Sequence, residues 1–289
     1  LIHYLEREWG VYFAMGGTGK LVSALTTLMA EEGIRLENNQ TVTELLLEES
    51  SAKGVKLATG ETIKADVVVS NADPLHLYSK MLPKGKLGSI PRLKLNSRKS
   101  MCIYVLLLGT SQSYPEVALH SIWLGNRYKE LLHDIFRRKV MTEDFSLYVH
   151  RPTATDPSFA PEGHDSFYVL CPVPNLDGDV DWAEEGPRLQ ARVIEALEET
   201  MLPGLSSVIQ SPFYMTPKDF ENDYLSTAGA GFSIAPHFTQ SAWFRFHNKA
   251  EGIKNLYLVG AGTHPGAGLP GVVSSAKVIE KLVADHVSR

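Results

Sequence analysis

The chain has 289 residues, 44% hydrophobic and 21% charged, with a formal net charge of −5. That supports one large domain or two smaller ones with real cores, while no run reaches the roughly 18 apolar residues of a membrane span. Cys102 and Cys171 have no C-x-x-C partner, which argues against a disulfide scaffold and a zinc module and fits a reducing cytoplasm. The acidic balance disfavours nucleic acid. The opening Leu-Ile-His-Tyr lacks an initiator Met and any signal-peptide pattern, so the sequence reads as cut from something longer.

In chain order, Trp9–Phe13 alternates like a strand and leads through Met15-Gly16-Gly17-Thr18-Gly19-Lys20 into a helix over 21–32. A P-loop is excluded there, because Ala14 stands at the first glycine position and Leu21 replaces the Ser or Thr that would hold magnesium. The helix buries Leu21, Leu25, Leu28 and Met29, and Gly33 ends it. Short strands at 34–36, 42–47, 55–57 and 63 form a meander. A buried strand then runs from Asp66 into Ser70-Asn71-Ala72-Asp73-Pro74, where Pro74 turns the chain away from helix.

From Pro74 to Ser113 there is no Asp or Glu, while Lys80, Lys84, Lys86, Arg92, Lys94, Arg98 and Lys99 are interleaved with apolar residues. The segment suits an anionic membrane surface or a solvated basic loop over a packed helix. Strands follow at 100–108, 145–149 and 166–172. Asp177-Gly178-Asp179-Val180-Asp181 opens like a calcium loop but has Trp182 and Arg188 where glycine and glutamate are required. A helix over 188–200 buries Leu189, Val193, Ala196 and Leu197. Gly231-Phe232-Ser233-Ile234-Ala235 lacks one glycine of a nucleophile elbow. His237, His247 and His264 are too scattered for a metal site, and no metal is expected. Trp243-Phe244-Arg245-Phe246 suits a core, an interface or the wall of a pocket for a long apolar substrate.

The chain ends on its most distinctive element, a buried strand at 256–259, a bend rich in glycine and proline, and a helix from Pro270 with Val272, Ala276, Ile279 and Val283 on one face. Gly266-Ala267-Gly268-Leu269-Pro270-Gly271 satisfies G-x-G-x-x-G only as a string. Six residues separate it from the strand, and no second strand with an acidic residue follows. It reads as the closing half of a cofactor cradle at a helix N-terminus, or as a ligand-free helix start packed on a strand.

Four stretches together resemble the C-terminal three-fifths of bacterial phytoene desaturases of the carotenoid-forming flavoprotein family. They are 5–11 with Gly16-Gly17-Thr18-Gly19, Ser70-Asn71-Ala72-Asp73, Ala160-Pro161-Glu162-Gly163, and 255–271. The resemblance implies an α/β chain of mixed α+β character. Residues 10–73 and 250–289 would be parts of an FAD-binding domain of the amine-oxidase and phytoene-desaturase type. Residues 1–9 and 74–249 would be a substrate domain with a mixed sheet and helices.

The resemblance further implies an FAD-dependent desaturation of phytoene toward lycopene, and peripheral attachment to the cytoplasmic membrane face. It assigns flavin contacts to Gly262, Thr263, Pro265, Gly266, Gly268, Pro270, Gly271 and Val272, an adenine-side contact to Val42, and proximity to the flavin for Gly16 and Gly17. The pyrophosphate-binding turn of the family is not among these 289 residues. A polyene isomerase, an amine-oxidase-like flavoenzyme, and a fragment that cannot hold FAD alone are the alternatives. The catalytic base, the electron acceptor and the oligomeric state are not readable from the residues.

Overall fold

The structure, a computed structural model, describes residues 2–83, 85 and 88–287. It opens with α1 (Ile2–Trp9), so the strand expected at Trp9–Phe13 does not form. Glu6, Arg7 and Glu8 are good helix formers, and Gly10 in the left-handed region ends the helix by donating its N–H to the Glu6 carbonyl at 2.9 Å. After a short coil, α2 (Gly17–Glu31) starts behind Gly16, which is also left-handed.

Leu21, Val22, Leu25 and Leu28 of α2 are exposed, and none of its residues is buried. The apolar face expected there exists as a stripe, but nothing among the described residues covers it. Residues 34–36 are irregular rather than a strand. β1 (Val42–Glu48), β2 (Ser51–Leu57) and β3 (Thr62–Lys64) form the antiparallel meander. Its middle strand meets β3 closely at Gly54, at φ 143°, where a Cβ would lie 1.9 Å from the Ile63 carbonyl oxygen.

β4 (Val68–Ser70) is followed by helical turns over 74–81. Pro74 therefore starts a helix rather than preventing one: proline restrains the residue before it, and Asp73 is extended at ψ 122°, while Pro74 itself suits a first helical position. β5 (Cys102–Thr110), β6 (His120–Trp123), β7 (Leu147–His150), β8 (Asp165–Val173) and β9 (Ile209–Met215) make an antiparallel sheet in the order β6-β7-β8-β5-β9. The edge strands β6 and β9 have no strong sequence signal. β6 carries His120 and Ser121, and β9 carries Pro212 with Ser211 at φ 44°, features that an edge strand tolerates.

Strict alternation sends Cys102, Tyr104, Leu106 and Leu108 of β5, and Phe167, Val169, Cys171 and Val173 of β8, into the larger core. Helix α3 (Trp182–Thr200) closes that core with Leu189, Val193 and Leu197, all fully buried. It starts six residues before the expected position because Asp181 caps it, accepting the Ala183 N–H at 2.9 Å. Ala196 is only half-buried. The calcium-like Asp177 instead receives the ammonium groups of Lys99 and Lys139, at 2.9 and 2.7 Å.

Past α4 (Pro217–Tyr224), the chain returns beside β4. β10 (Leu256–Leu258) pairs with it in parallel, Tyr257 opposite Val69, and α5 (Leu269–Val287) ends the described chain. A second core gathers Leu45, Leu75, Leu77, Tyr78, Phe246, Leu256 and Leu258 around this pair.

Candidate functional site: a glycine bend and an apolar sheet face

Between β10 and α5 the chain makes the bend that the glycines foreshadow. Gly260, Gly266 and Gly268 have φ of 98°, 136° and 93°, a region that side-chain-bearing residues avoid. Gly262 and Thr263 are buried inside the bend. A Cβ on Gly262 would sit 2.3 Å from Pro74 Cδ, and one on Gly271 would sit 2.6 Å from the Gly266 carbonyl oxygen. Thr263 donates its hydroxyl to the Gly260 carbonyl at 3.0 Å. Pro265, Gly266 and Gly271 are half-exposed, and Gly268, Pro270 and Val272 are exposed, so these six present the outer wall of the bend.

The face of α5 turned toward the bend is not the expected one. Among its described side chains Ser275 is the buried one, accepting the Gly260 N–H at 3.0 Å, while Val272 and Ala276 are exposed and Ile279 and Val283 half-buried.

Arg245 holds the bend from behind. It is 4% exposed and donates Nε to the Thr263 carbonyl at 3.0 Å, Nη2 to the Ala261 carbonyl and Nη1 to the Ile234 carbonyl at 3.4 Å. Burial lowers its pKa from the ordinary value, and the charge of Asp73 opposes that shift. Asp73 itself accepts the Ser233 hydroxyl at 2.6 Å and the Thr227 N–H at 3.0 Å. Asn248 adds donors to the Leu258 and His264 carbonyls at 3.1 and 2.8 Å. Neither Arg245 nor Asn248 stands out in sequence as part of the bend. Only the aromatic-flanked arginine gave a signal, and it left core, interface and pocket open. Arg245, Pro265, Gly266 and Gly268 border one cavity of about 460 Å³, with Met101 and Phe232 opposite.

The second cavity, of about 750 Å³, lies where the N-terminus of α2 meets the outer face of the large sheet. Gly17, Phe13 and Phe159 form one side, and Leu107, His150 and Tyr168 the other. Gly17 is required for the approach, since a Cβ there would be 2.7 Å from Phe159 Cζ. Gly16 donates its N–H to Asp156 Oδ2 at 2.6 Å, and the Ser158 hydroxyl meets the same carboxylate at 2.6 Å. These bonds, Ser158's side chain foremost, hold Asp156 below the usual carboxylate pKa. Val42, on β1, lines neither cavity.

Strand register explains the sheet's outer face. His120, His150, Tyr168, Leu107 and Phe213 stand opposite one another across β6, β7, β8, β5 and β9. The neighbouring row, two residues along each strand, is Ile122, Tyr148, Leu170, Val105 and Met215. At the usual spacing between strands, these rows are roughly 19 Å long. They are apolar or aromatic apart from the imidazoles and phenols.

Within the first row His120 and His150 stack with ring centres 5.0 Å apart, and His120 Nδ1 lies 2.7 Å from the Tyr148 hydroxyl. No Asp, Glu, Lys or Arg lines the larger cavity among the described residues. No cluster of three potential metal ligands occurs among them either.

The bend of left-handed glycines at a helix N-terminus has the form of a cradle for a flat cofactor, and the apolar sheet face, in a separate cavity, that of a shelf for a hydrocarbon-like ligand. Residues 1–278 match the family described as flavin containing amine oxidoreductase, and the chain belongs to that family. It is 47% identical to a lycopene-forming phytoene desaturase of Pseudescherichia vulneris, across 99% of this chain and 59% of that protein. It is 35% identical to a 4,4'-diapophytoene desaturase of Methylomonas, across 98% of this chain and 56% of that one. It thus spans a little under three-fifths of the curated relatives it matches.

Among solved structures, an oxidoreductase from Methanosarcina mazei superposes with a TM-score of 0.62 at 16% identity, over 92% of this chain and 55% of that one. Putrescine oxidase bound to putrescine gives 0.60 at 12%, over 95% and 54%. These two likenesses concern the fold.

Proposed function

We propose that this chain is the substrate-binding and flavin-closing part of an FAD-dependent desaturase that acts on phytoene and extends its conjugation toward lycopene. The observation that carries the reading is the pair of sheet rows across β6–β9, a shelf for a long apolar chain, meeting the glycine pair at the start of α2. The described lining supplies no carboxylate to pair with a protonated amine.

The bend fits a flavin. Its outer wall is bare backbone at Gly266 and Gly268, it opens at the N-terminus of a 19-residue helix, and the buried Arg245 cation lies behind it. A helix N-terminus and a cation both favour the negative charge that a reduced flavin carries. We assign Pro265, Gly266, Gly268, Pro270, Gly271 and Val272 to flavin contact, Gly262 and Thr263 to the shape of the bend, and Gly16 and Gly17 to the approach between flavin and substrate. Val42 is kept for the adenine side. Bound FAD would accept the hydride, for which no side chain is competent.

We also place the protein at the cytoplasmic membrane surface, where its substrate dissolves. No helix among the described residues is long and apolar enough to cross a membrane. The support is a surface cluster: Phe238, Trp243, Phe244 and Leu93 are exposed, and Gln240 ties their loop to the basic segment through the Arg98 backbone at 2.9 Å. Within that segment Lys94 pairs with Glu251 at 2.7 Å and Lys99 with Asp177, so these two are structural. Lys84 and Lys86 lie outside the described residues.

The test is direct. The full-length protein that carries this sequence, given FAD and phytoene in liposomes, should yield products with longer-wavelength polyene absorbance. Stoichiometric flavin with unchanged phytoene would end the reading.

A further inference from the structure

Desaturation removes a hydride from one carbon and a proton from its neighbour, and the proton needs an acceptor. Resting on the desaturase reading, we propose that His150 is that acceptor: its Nε2 takes the proton of the second C–H bond while the bond's electron pair becomes the new C=C. A bound flavin would supply the two-electron acceptor for the hydride. The imidazolium then passes its proton to water, so atoms, charge and electrons balance.

Four observations converge on His150. It lines the larger cavity together with Gly17, so it shares that space with one of the two glycines assigned to the flavin approach. Its Nδ1 is 3.1 Å from the Leu119 carbonyl. A carbonyl only accepts, so the hydrogen is on Nδ1, and Nε2 is the unprotonated nitrogen with a lone pair to offer. The ring is fixed by stacking on His120 at 5.0 Å and by its place in β7 opposite Tyr168.

Finally, among the described residues of the lining, the only other ionisable side chain is Tyr168, whose pKa burial raises further above its ordinary value. Burial also lowers the pKa of His150, the Leu119 bond opposes this, and His120 adds to the lowering, so the imidazole is neutral and able to accept at neutral pH. The groups facing it are His120 from β6, Tyr148 beside it on β7, Tyr168 from β8 and Phe13 from the coil before α2.

Two experiments decide the matter. Two-bond ¹H–¹⁵N correlation spectra of histidine-labelled chain, without flavin or substrate, should show His150 as the Nδ1–H tautomer at pH 7, titrating below the ordinary value of about 6.5. The opposite tautomer overturns the proposal. In the full-length protein, His150→Asn keeps a donor for the Leu119 carbonyl and removes the base. Turnover should fall roughly 100-fold or more, with flavin content unchanged. Added imidazole should restore part of it, and wild-type turnover should decline as pH falls through the His150 pKa. If wild type desaturates phytoene and His150→Asn does so equally well, His150 is only a shelf residue. If wild type does not act on phytoene at all, the desaturase reading falls, and this proposal with it.

Discussion

Gly262 shows how much of the site rests on single atoms. Its missing side chain lets the bend lie against Pro74, and Gly262→Ala would press a methyl group into the proline ring at 2.3 Å. The variant should lose about 1–3 kcal/mol in urea unfolding, the usual cost of overpacking. Asp165 carries the clearest pH dependence. It is buried, which alone would raise its pKa, but Thr153, the Tyr114 N–H at 2.7 Å and Arg151 at 3.1 Å reverse this and hold it below the usual carboxylate range. A depressed folded-state pKa stabilises the protein above the unfolded value of about 3.9, and that contribution is lost as pH falls below it. Stability measured between pH 6 and 3 should therefore drop at the acid end. Asp165→Asn should start lower at pH 6 and show a shallower decline.

At the scale of elements, helices α2 and α3 test how far an amphipathic pattern can be trusted. Both carry leucines at helical spacing. Those of α3 meet the alternating inner rows of β5 and β8, whereas Leu21, Leu25 and Leu28 of α2 remain exposed. Leu197→Ala should cost about 2–5 kcal/mol, because it opens a cavity in a filled core. Leu25→Ala in the same chain should change stability by less than about 0.5 kcal/mol. Equal effects in chemical unfolding would mean that α2 is covered in solution. The sheet adds a second lesson. β5, β7 and β8 are legible from their alternation, while β6 and β9, which hold His120 and Phe213 at the ends of the shelf, declare themselves only through pairing.

Over the whole molecule, apolar surface is concentrated at α2 with the coil before it, at the start of α5, and at the loop of Phe238, Trp243 and Phe244. Exposed patches of this kind mark interaction surfaces. On the membrane reading, replacing Trp243 and Phe244 by Ser should weaken binding to anionic liposomes in a sedimentation assay, and the residual binding should fall further with salt. Binding that does not change would remove this loop from the membrane surface. Charge substitution at Lys94 is a poor test, since it would break the pair with Glu251 and the contact with Phe246 at the border of the second core.

By itself the sequence determined the glycine bend and its incompatibility with a pyrophosphate turn, the central strands, and the flavoprotein likeness. Those features are local: spacing, alternation and the conformational freedom of glycine are written in consecutive residues. Tertiary structure alone decided which half of each pattern is used. It placed Arg245 behind the bend and Asp156 on Gly16, from 140 residues away in the case of Asp156. It aligned His150 with His120 and Tyr168 through strand register, and left the face of α2 uncovered by the described residues. Long-range pairing sets these relations, because register and packing depend on segments far apart in the chain, and no local periodicity encodes which distant partner a side chain will meet.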